Sequence, residues 1–185
     1  MSVLSKAYMY DEAAAFAHVE AMLWQDGPVC PKCGCVGNAA KLEGIRTKAS
    51  TKNPEGIVRH GLWRCRDCRA QFTVRVGTIF EDSHIALHLW LQAIHLLCSS
   101  KKGISSNQLH RTLGITLKSA WFMSHRIREA MRDDGSMNFG SGGGVVEVDE
   151  TFIGREPGKE VRRGVGHKMK VLTLVDRSTG RAKSI

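Results

Sequence analysis

Cys30-Pro-Lys-Cys33 and Cys65-Arg-Asp-Cys68 are two C-x-x-C knuckles, each placing a pair of thiolates about one tight turn apart. Two such pairs can close a tetrahedral site around zinc, with bonds of about 2.3 Å to each sulfur. The stretch between them, Gly34 to Arg64, is longer than the usual spacing. The alternation in His60-Gly-Leu-Trp-Arg-Cys65 and in Gln71-Phe-Thr-Val-Arg-Val76 predicts strands on either side of the second knuckle, which is a zinc-ribbon pattern. A thiol redox pair and four ordinary buried cysteines are the competing readings, and the pairing of two knuckles favours the metal. Cys35 could compete for it, but Cys33 is the residue that completes the C-x-x-C geometry. A ribbon this small buries little apolar surface, so zinc would contribute to its folding energy. Arg59, Arg64, Arg66, Arg69 and Arg75 surround the second half and could either contact phosphates or form a solvated rim.

A second element able to do chemistry is Val-Val-Glu-Val-Asp-Glu-Thr-Phe-Ile-Gly, residues 145 to 154. Its composition predicts a buried strand with Glu147, Asp149 and Thr151 on one face and Val146, Val148 and Phe152 on the other. A carboxylate on such a strand is how polynucleotidyl transferases hold divalent metal, where two ions activate a water or a 3′-hydroxyl against phosphorus. One aspartate cannot hold both ions, and Glu147 and Glu150 are expected to be rim charges. No later strand brings partner carboxylates, so the isolated chain is expected not to cleave DNA. From Arg155 to Lys170, six Lys or Arg stand against two Glu, consistent with a strand-connecting loop near DNA. Met169 to Val175 reads as a second strand. Asp176 is expected to serve the turn at Asp176-Arg-Ser-Thr-Gly180 rather than catalysis. A third strand begins at Ala182, and unpaired edges here predict association or disorder.

The elements that must carry these groups follow from periodicity. Residues 11 to 24 have helical spacing, with Phe16, Val19 and Leu23 on one face, Asp11 as N-cap and Asp26-Gly27-Pro28 as the stop. Residues 84 to 132 read as three helices. Ser83 is the expected cap of the first, whose stripe is Leu87, Trp90, Leu91, Ile94, Leu97 and Cys98, making Cys98 a core residue. Ser105 and Gln108 match capping-box spacing for a short second helix holding Leu109. After the turn at Leu113-Gly-Ile115, Thr116 can cap a third helix with Ala120, Met123, Ile127, Ala130 and Met131 on its packed face. Lys118, Ser119, Phe122, His125, Arg126 and Arg132 fall largely on the other. A short helix, a glycine turn and a longer helix with a basic face is helix-turn-helix grammar, although an ordinary helical hairpin has the same apolar spacing. His84, His88, His95, His110 and His125 read as surface or packing residues. Between Gly135 and Gly144, seven of ten residues are Gly or Ser, which predicts a linker.

The whole-chain numbers bound these readings. The chain has 185 residues, of which 42% are hydrophobic, enough for packed cores, and a formal charge of +9 that favours a polyanionic partner. There is no signal-peptide pattern and no stretch of about 18 apolar residues, so no membrane is expected and the cytoplasm is the default location. Six cysteines there are better read as thiols or metal ligands than as disulfides.

Trp24-Gln-Asp-Gly-Pro-Val-Cys-Pro-Lys-Cys-Gly34, Cys65-x-x-Cys-x-x-x-Phe72, Gly77-Thr-Ile-Phe-Glu-Asp-Ser83, Leu109-x-x-x-Leu-Gly-Ile-Thr116, Ala120-Trp-Phe-Met-x-His-Arg-Ile-Arg128 and Val148-Asp-Glu-Thr-Phe-Ile-Gly154 occur in this order. Together they resemble bacterial insertion-sequence transposases that carry an amino-terminal zinc ribbon before an ISXO-like catalytic domain. The resemblance runs from about residue 10 over nearly the whole chain. It implies a ribonuclease-H-like fold with a magnesium-dependent acidic triad, cleavage at element ends and strand transfer. On it, Asp149 matches the first acidic ligand of the triad, and Cys30, Cys33, Cys65 and Cys68 match the structural zinc ligands. The family pattern continues beyond Ile185, and its second and third acidic positions have no counterpart here.

The expected fold class is therefore a multi-module α+β chain. It has an N-terminal helix (1–27), a zinc ribbon (28–80), a three-helix helix-turn-helix unit (81–134), a Gly/Ser linker (135–144) and the first strands of a truncated ribonuclease-H-like domain (145–185). The expected partner is double-stranded DNA at insertion-sequence ends, contacted by Arg64, Arg66, Arg69, Lys118, Ser119, Phe122 and Arg126. A homo-oligomer or a complementing transposase chain is a further expected partner. Magnesium or manganese would bind at Asp149 only if missing residues complete the site, and the expected location is the nucleoid of the bacterial cytoplasm. The function is read as that of a transposase whose remainder is supplied elsewhere, or of a non-catalytic DNA-binding regulator or remnant.

Overall fold

Residues 3–51, 53–132 and 144–185 are described by the computed structural model. They form a mixed α+β chain that divides into two compact units, Met1–Met131 and Arg132–Ile185. The predicted linker falls almost wholly on 133–143, outside the described residues.

In the first unit, Asp11 caps helix α1 (Glu12–Leu23) by accepting the Ala14 N–H at 2.7 Å. The helix buries Ala15, Phe16, Val19 and Glu20. Leu23, expected on this face, is 51% exposed. The stripe drifts by 100° per residue, and Trp24 takes the place at the core instead, packing against both hydrophobic clusters of the unit. Glu20 is buried beneath the ribbon, where it accepts Trp63 Nε1–H at 2.9 Å and pairs with Lys41 Nζ at 3.2 Å.

Next comes a three-stranded antiparallel sheet in the order β1 (Ala39–Lys41), β2 (Trp63–Cys65), β3 (Gln71–Phe72). Its register sets Ala39 opposite Cys65 and Trp63 opposite Phe72. The long insert is an antiparallel arm: Leu42 N–H bonds the Leu62 carbonyl at 2.8 Å, Arg59 N–H that of Ile45 at 2.8 Å, and Thr47 N–H that of Ile57 at 2.9 Å. Gly56 is required there, since its φ is +70° and a Cβ would lie 2.2 Å from the Thr47 carbonyl oxygen. The strand predicted through Val76 stops at Phe72, because Thr73 to Phe80 turns back through local i→i+3 bonds such as Val76 N–H to the Thr73 carbonyl. Arg75 is not a rim residue. Its guanidinium donates to the carbonyls of Ser83 and Ile85 and lies 5.7 Å from the Phe16 ring, and burial pushes its pKa down.

Helix α2 (Leu87–Ser99) starts four residues after Ser83, and Ser83 does not cap it. The Glu12 carboxylate does so from α1, accepting Leu87 N–H at 2.8 Å and His88 N–H at 3.1 Å while also bonding His88 Nδ1 at 2.8 Å. Ser83 Oγ instead accepts Trp90 Nε1–H at 3.1 Å. The buried residues of α2 are Leu87, Trp90, Ala93 and Leu97, a narrower stripe than expected, which leaves Cys98 exposed rather than in the core. Ser105 caps α3 (Ser106–Leu113) and Thr116 caps α4 (Leu117–Ala130), accepting Gln108 N–H at 3.2 Å and Ser119 N–H at 3.1 Å. Gly114 between them has φ +65°, a left-handed position that glycine occupies at little cost. Burial on α4 covers Ala120, Met123, Ser124 and Ile127 and stops there, so Ala130 and Met131 are exposed in the last turn rather than packed. Leu109, Ala120 and Met123 meet Trp90 at 0% exposure, where truncating a leucine or methionine to alanine costs about 2–5 kcal/mol.

The second unit is an antiparallel sheet in the order β4 (Val146–Ile153), β5 (Met169–Asp176), β6 (Ala182–Ser184). Val148 faces Leu174 across the β4–β5 pair, and Asp149 faces Thr173. The expected buried strand is exposed along most of β4, with Val148 60% and Ile153 51% exposed. It is one layer among the described residues, and period-2 patterning fixes which face is apolar without supplying a layer to cover it. Asp176 closes the β5–β6 turn by accepting Ser178 N–H at 2.9 Å and Ser178 Oγ–H at 2.6 Å. These bonds, the hydroxyl first, hold its carboxyl below the usual range.

Candidate metal centre and basic helical face

The four knuckle thiols converge. Cys30 Sγ lies 3.6 Å from Cys68 Sγ, and Cys33 Sγ lies 3.6 Å from Cys65 Sγ. All four sulfurs lie within 4.8 Å of one another. A tetrahedron with bonds of about 2.3 Å has edges of about 3.8 Å, whereas a disulfide would bring two sulfurs to about 2.0 Å. The spacing therefore fits a four-coordinate zinc and excludes a disulfide. The protein backbone enforces it: Gly34 N–H donates to the Cys30 carbonyl, Cys30 N–H to the Cys35 carbonyl and Cys65 N–H to the Ala70 carbonyl, each at 2.9 Å.

Thiol acidity follows the same geometry. Burial pushes Cys30 up, but the N–H groups of Cys33 and Lys32 and the thiols of Cys33 and Cys68 more than offset it, holding it down at about 7. Cys33 receives the Cys35 N–H, yet its neighbour Cys30, burial and the other two thiols push it up to about 12. One thiolate in the cluster thus disfavours the next until a cation arrives. Zinc supplies that charge and cross-links the knuckles, and four sulfur ligands leave no position for water, so its role here would be structural. Cys35 is outside the four-thiol set but borders it, grouped within 4.8 Å with Cys65 and Asp67, and the Asp67 carboxylate, as hydrogen-bond partner, pushes its thiol up to about 11.

Around the centre, Arg64, Arg66 and Arg69 are all exposed. Arg69 directly follows Cys68 and has φ +58°, as Gly34 directly follows Cys33 with φ +72°. Each knuckle needs a left-handed residue at this point, and arginine pays about 1–2 kcal/mol for a conformation that glycine adopts freely.

On α4, Lys118 and Phe122 are exposed and Ser119 and Arg126 half-buried. Phe122 reaches the core edge-on to Trp90 at 6.2 Å. Arg126 donates to the Glu81 carbonyl at 2.7 Å and lies 5.6 Å from the Phe122 ring, so its guanidinium already has a structural role. Sequence reasoning passed over Trp121, which is 57% exposed and lies against the His125 ring at 4.2 Å with the two planes tilted by 43°. The usable signal was its i, i+4 spacing from Leu117 and to His125, which puts all three on the face opposite Met123. Asp149 is exposed on β4, in the other unit. Arg177 ties down Glu147 on the same strand at 2.5 Å. No helix among the described residues is long and apolar enough to cross a membrane.

A paired-knuckle ribbon joined to α1 defines a class of zinc-binding module, and residues 10–71 match the transposase zinc-ribbon domain of IS1595 type. Over 178 residues the chain is also 27% identical to an uncharacterized protein in the transposable element ISH50 of Halobacterium salinarum, covering 85% of this chain and 52% of that protein. The chain thus spans about half the length of this curated relative. No solved structure matches it. The two matches support an insertion-sequence transposase as the source of the ribbon and its surroundings.

Proposed function

We propose that this chain is the DNA-binding part of an insertion-sequence transposase, in which the ribbon and the α3–α4 pair engage duplex DNA at the element ends. The observation that carries the reading is the four-thiol cluster inside the segment that matches a transposase zinc ribbon. The arginine held at position 69 against its backbone preference supports a contact made by its side chain. Helix α4 offers Leu117, Lys118 and Trp121 at its capped amino-terminal end, where a helix entering the major groove contacts base edges. Asp149 is the proposed first ligand of a magnesium or manganese site, held on a strand that pairs on one side only among the described residues. Completing that site needs carboxylates from elsewhere, so this chain alone binds without cleaving.

The test is fluorescence anisotropy with labelled duplexes taken from either end of the encoding element. Lys118→Ala and Arg69→Gly should each weaken binding about 3–10-fold at moderate salt and lower the salt slope by about 1. No binding at 50 mM salt, or binding indifferent to salt, overturns the reading. Specific magnesium-dependent nicking by the purified chain, lost in Asp149→Ala, would overturn the non-cleaving part alone.

A further inference from the structure

The segment joining β4 to β5 folds back on itself. Glu156 N–H donates to the His167 carbonyl at 2.8 Å, Arg155 Nε to the Lys159 carbonyl at 2.8 Å and Lys168 N–H to the Val165 carbonyl at 2.9 Å. Gly158 and Gly164 make the reversals with φ of +83° and +100°. Between them lies a cavity of about 660 Å³ walled by Lys159, Arg162, Arg163 and His167, with Glu160 the one carboxylate. Lys159 is held by Glu156 at 2.5 Å. Arg162 and Arg163 are exposed and make no ion pair among the described residues. His167 Nδ1 is buried and has no hydrogen-bond partner among them. A buried ring nitrogen of this kind is satisfied either by an ordered water or by an acceptor brought to the loop.

We propose that this loop is a phosphodiester cradle. Arg162 and Arg163 grip the non-bridging oxygens of a nucleic-acid backbone, and His167 Nδ1–H donates a further hydrogen bond. Guanidinium forks match phosphate oxygens two at a time. A strand is favoured over free phosphate because the positive charge continues past the cavity, at Arg155, Lys168 and Lys170. The loop that carries the cradle leaves β4 at Ile153, four residues and about 13 Å along the strand from Asp149, and the residues lining the cavity begin at Gly158. The inference rests on the proposed DNA-binding role and gives the second unit a share in it.

Two measurements on the full chain test it. The first is the salt dependence of binding to a 20-base-pair duplex for the wild type, Arg162→Ala/Arg163→Ala and Lys118→Ala. Losing two phosphate contacts should lower the slope by about 1.8, so that raising salt from 50 to 200 mM weakens the double variant about tenfold less than the wild type. The second follows the His167 ring nitrogens by NMR during titration with a four-nucleotide thymidine strand and, separately, with inorganic phosphate. A saturable shift with the strand that exceeds the shift with phosphate is expected, and Arg162→Ala/Arg163→Ala should abolish it. An unchanged slope in the double variant, no His167 response to the strand, or an equal response to phosphate overturns the cradle. Wild-type duplex binding that Lys118→Ala weakens would leave the first unit's role standing in each of those cases. A strand response at His167 without any duplex binding would uphold the cradle and sink the wider function.

Discussion

Removing zinc should unfold the ribbon and leave the helices. Structural zinc contributes about 10–16 kcal/mol to small zinc domains near neutral pH, as much as or more than the whole stability of an ordinary domain, about 5–15 kcal/mol. The ribbon has little else to draw on: strands of three, three and two residues and a buried cluster of Cys30, Cys65 and Phe72. The helical core is larger and, Trp24 apart, built from other residues, with Trp90, Leu109, Ala120 and Met123 all at 0% exposure. Amide exchange with and without chelator reads the two regions independently. The amides of Leu42, Cys65 and Arg66, bonded to the carbonyls of Leu62, Ala70 and Asn38, should lose at least about a thousandfold of protection, roughly 4 kcal/mol of opening free energy. Those of Ala120 and Met123 in α4 should lose less than tenfold. Cys65→Ser should reproduce the pattern with zinc present, since it removes one corner of the tetrahedron. Ribbon amides that stay protected after chelation would refute the metal as the ribbon's main support. Helical amides that fall together with them would refute the separation of the two cores.

Glu12→Ala should lower the stability of the first unit by about 2 kcal/mol, from about 1 for a lost helix cap and about 1 for the His88 hydrogen bond, which is about 7 °C in melting temperature for a unit of this size. Glu12→Gln keeps one acceptor oxygen and should fall between; equal effects from both would show that the carboxylate does not cap α2. Asp176 titrates below the ordinary carboxylate range, so its stabilising effect is complete above an unfolded pKa of about 3.9 and is lost as pH falls through its depressed folded value. Amide protection in β4 and β5 should therefore drop on acidification below about pH 4, and Asp176→Asn should start lower at neutral pH and show a shallower acid slope. Identical pH profiles for the two proteins would remove Asp176 as a contributor.

What could be read in the sequence was what local spacing determines. Two knuckles announce four converging thiols because each turn sets its own pair, and Asp11, Ser105 and Thr116 cap helices whose first turns they directly precede. The misreadings came where a distant residue decided the outcome. Ser83 had the right type and nearly the right place, but Glu12, far away in sequence, occupies the amino terminus of α2. Cys98 and Leu23 fit an apolar stripe whose width depends on which neighbours pack, and Trp24 outcompeted the leucine. The antiparallel arm between the knuckles left no composition signal, since its strands are held by backbone bonds between mostly exposed residues. Arg75 and Arg126 were indistinguishable by type from arginines free to meet a phosphate, and only the carbonyls around them show that they are engaged.

Gly61 sits where a methyl group would come within 2.1 Å of the Phe16 ring, and Glu20 reaches the ribbon from the same helix. A segment cut at the first knuckle for expression would therefore leave behind the aromatic plug and the acid that anchor its sheet. Anyone excising this module should begin upstream of Asp11, and should expect a shorter piece to take up metal yet lose its grip on Trp63 and Lys41.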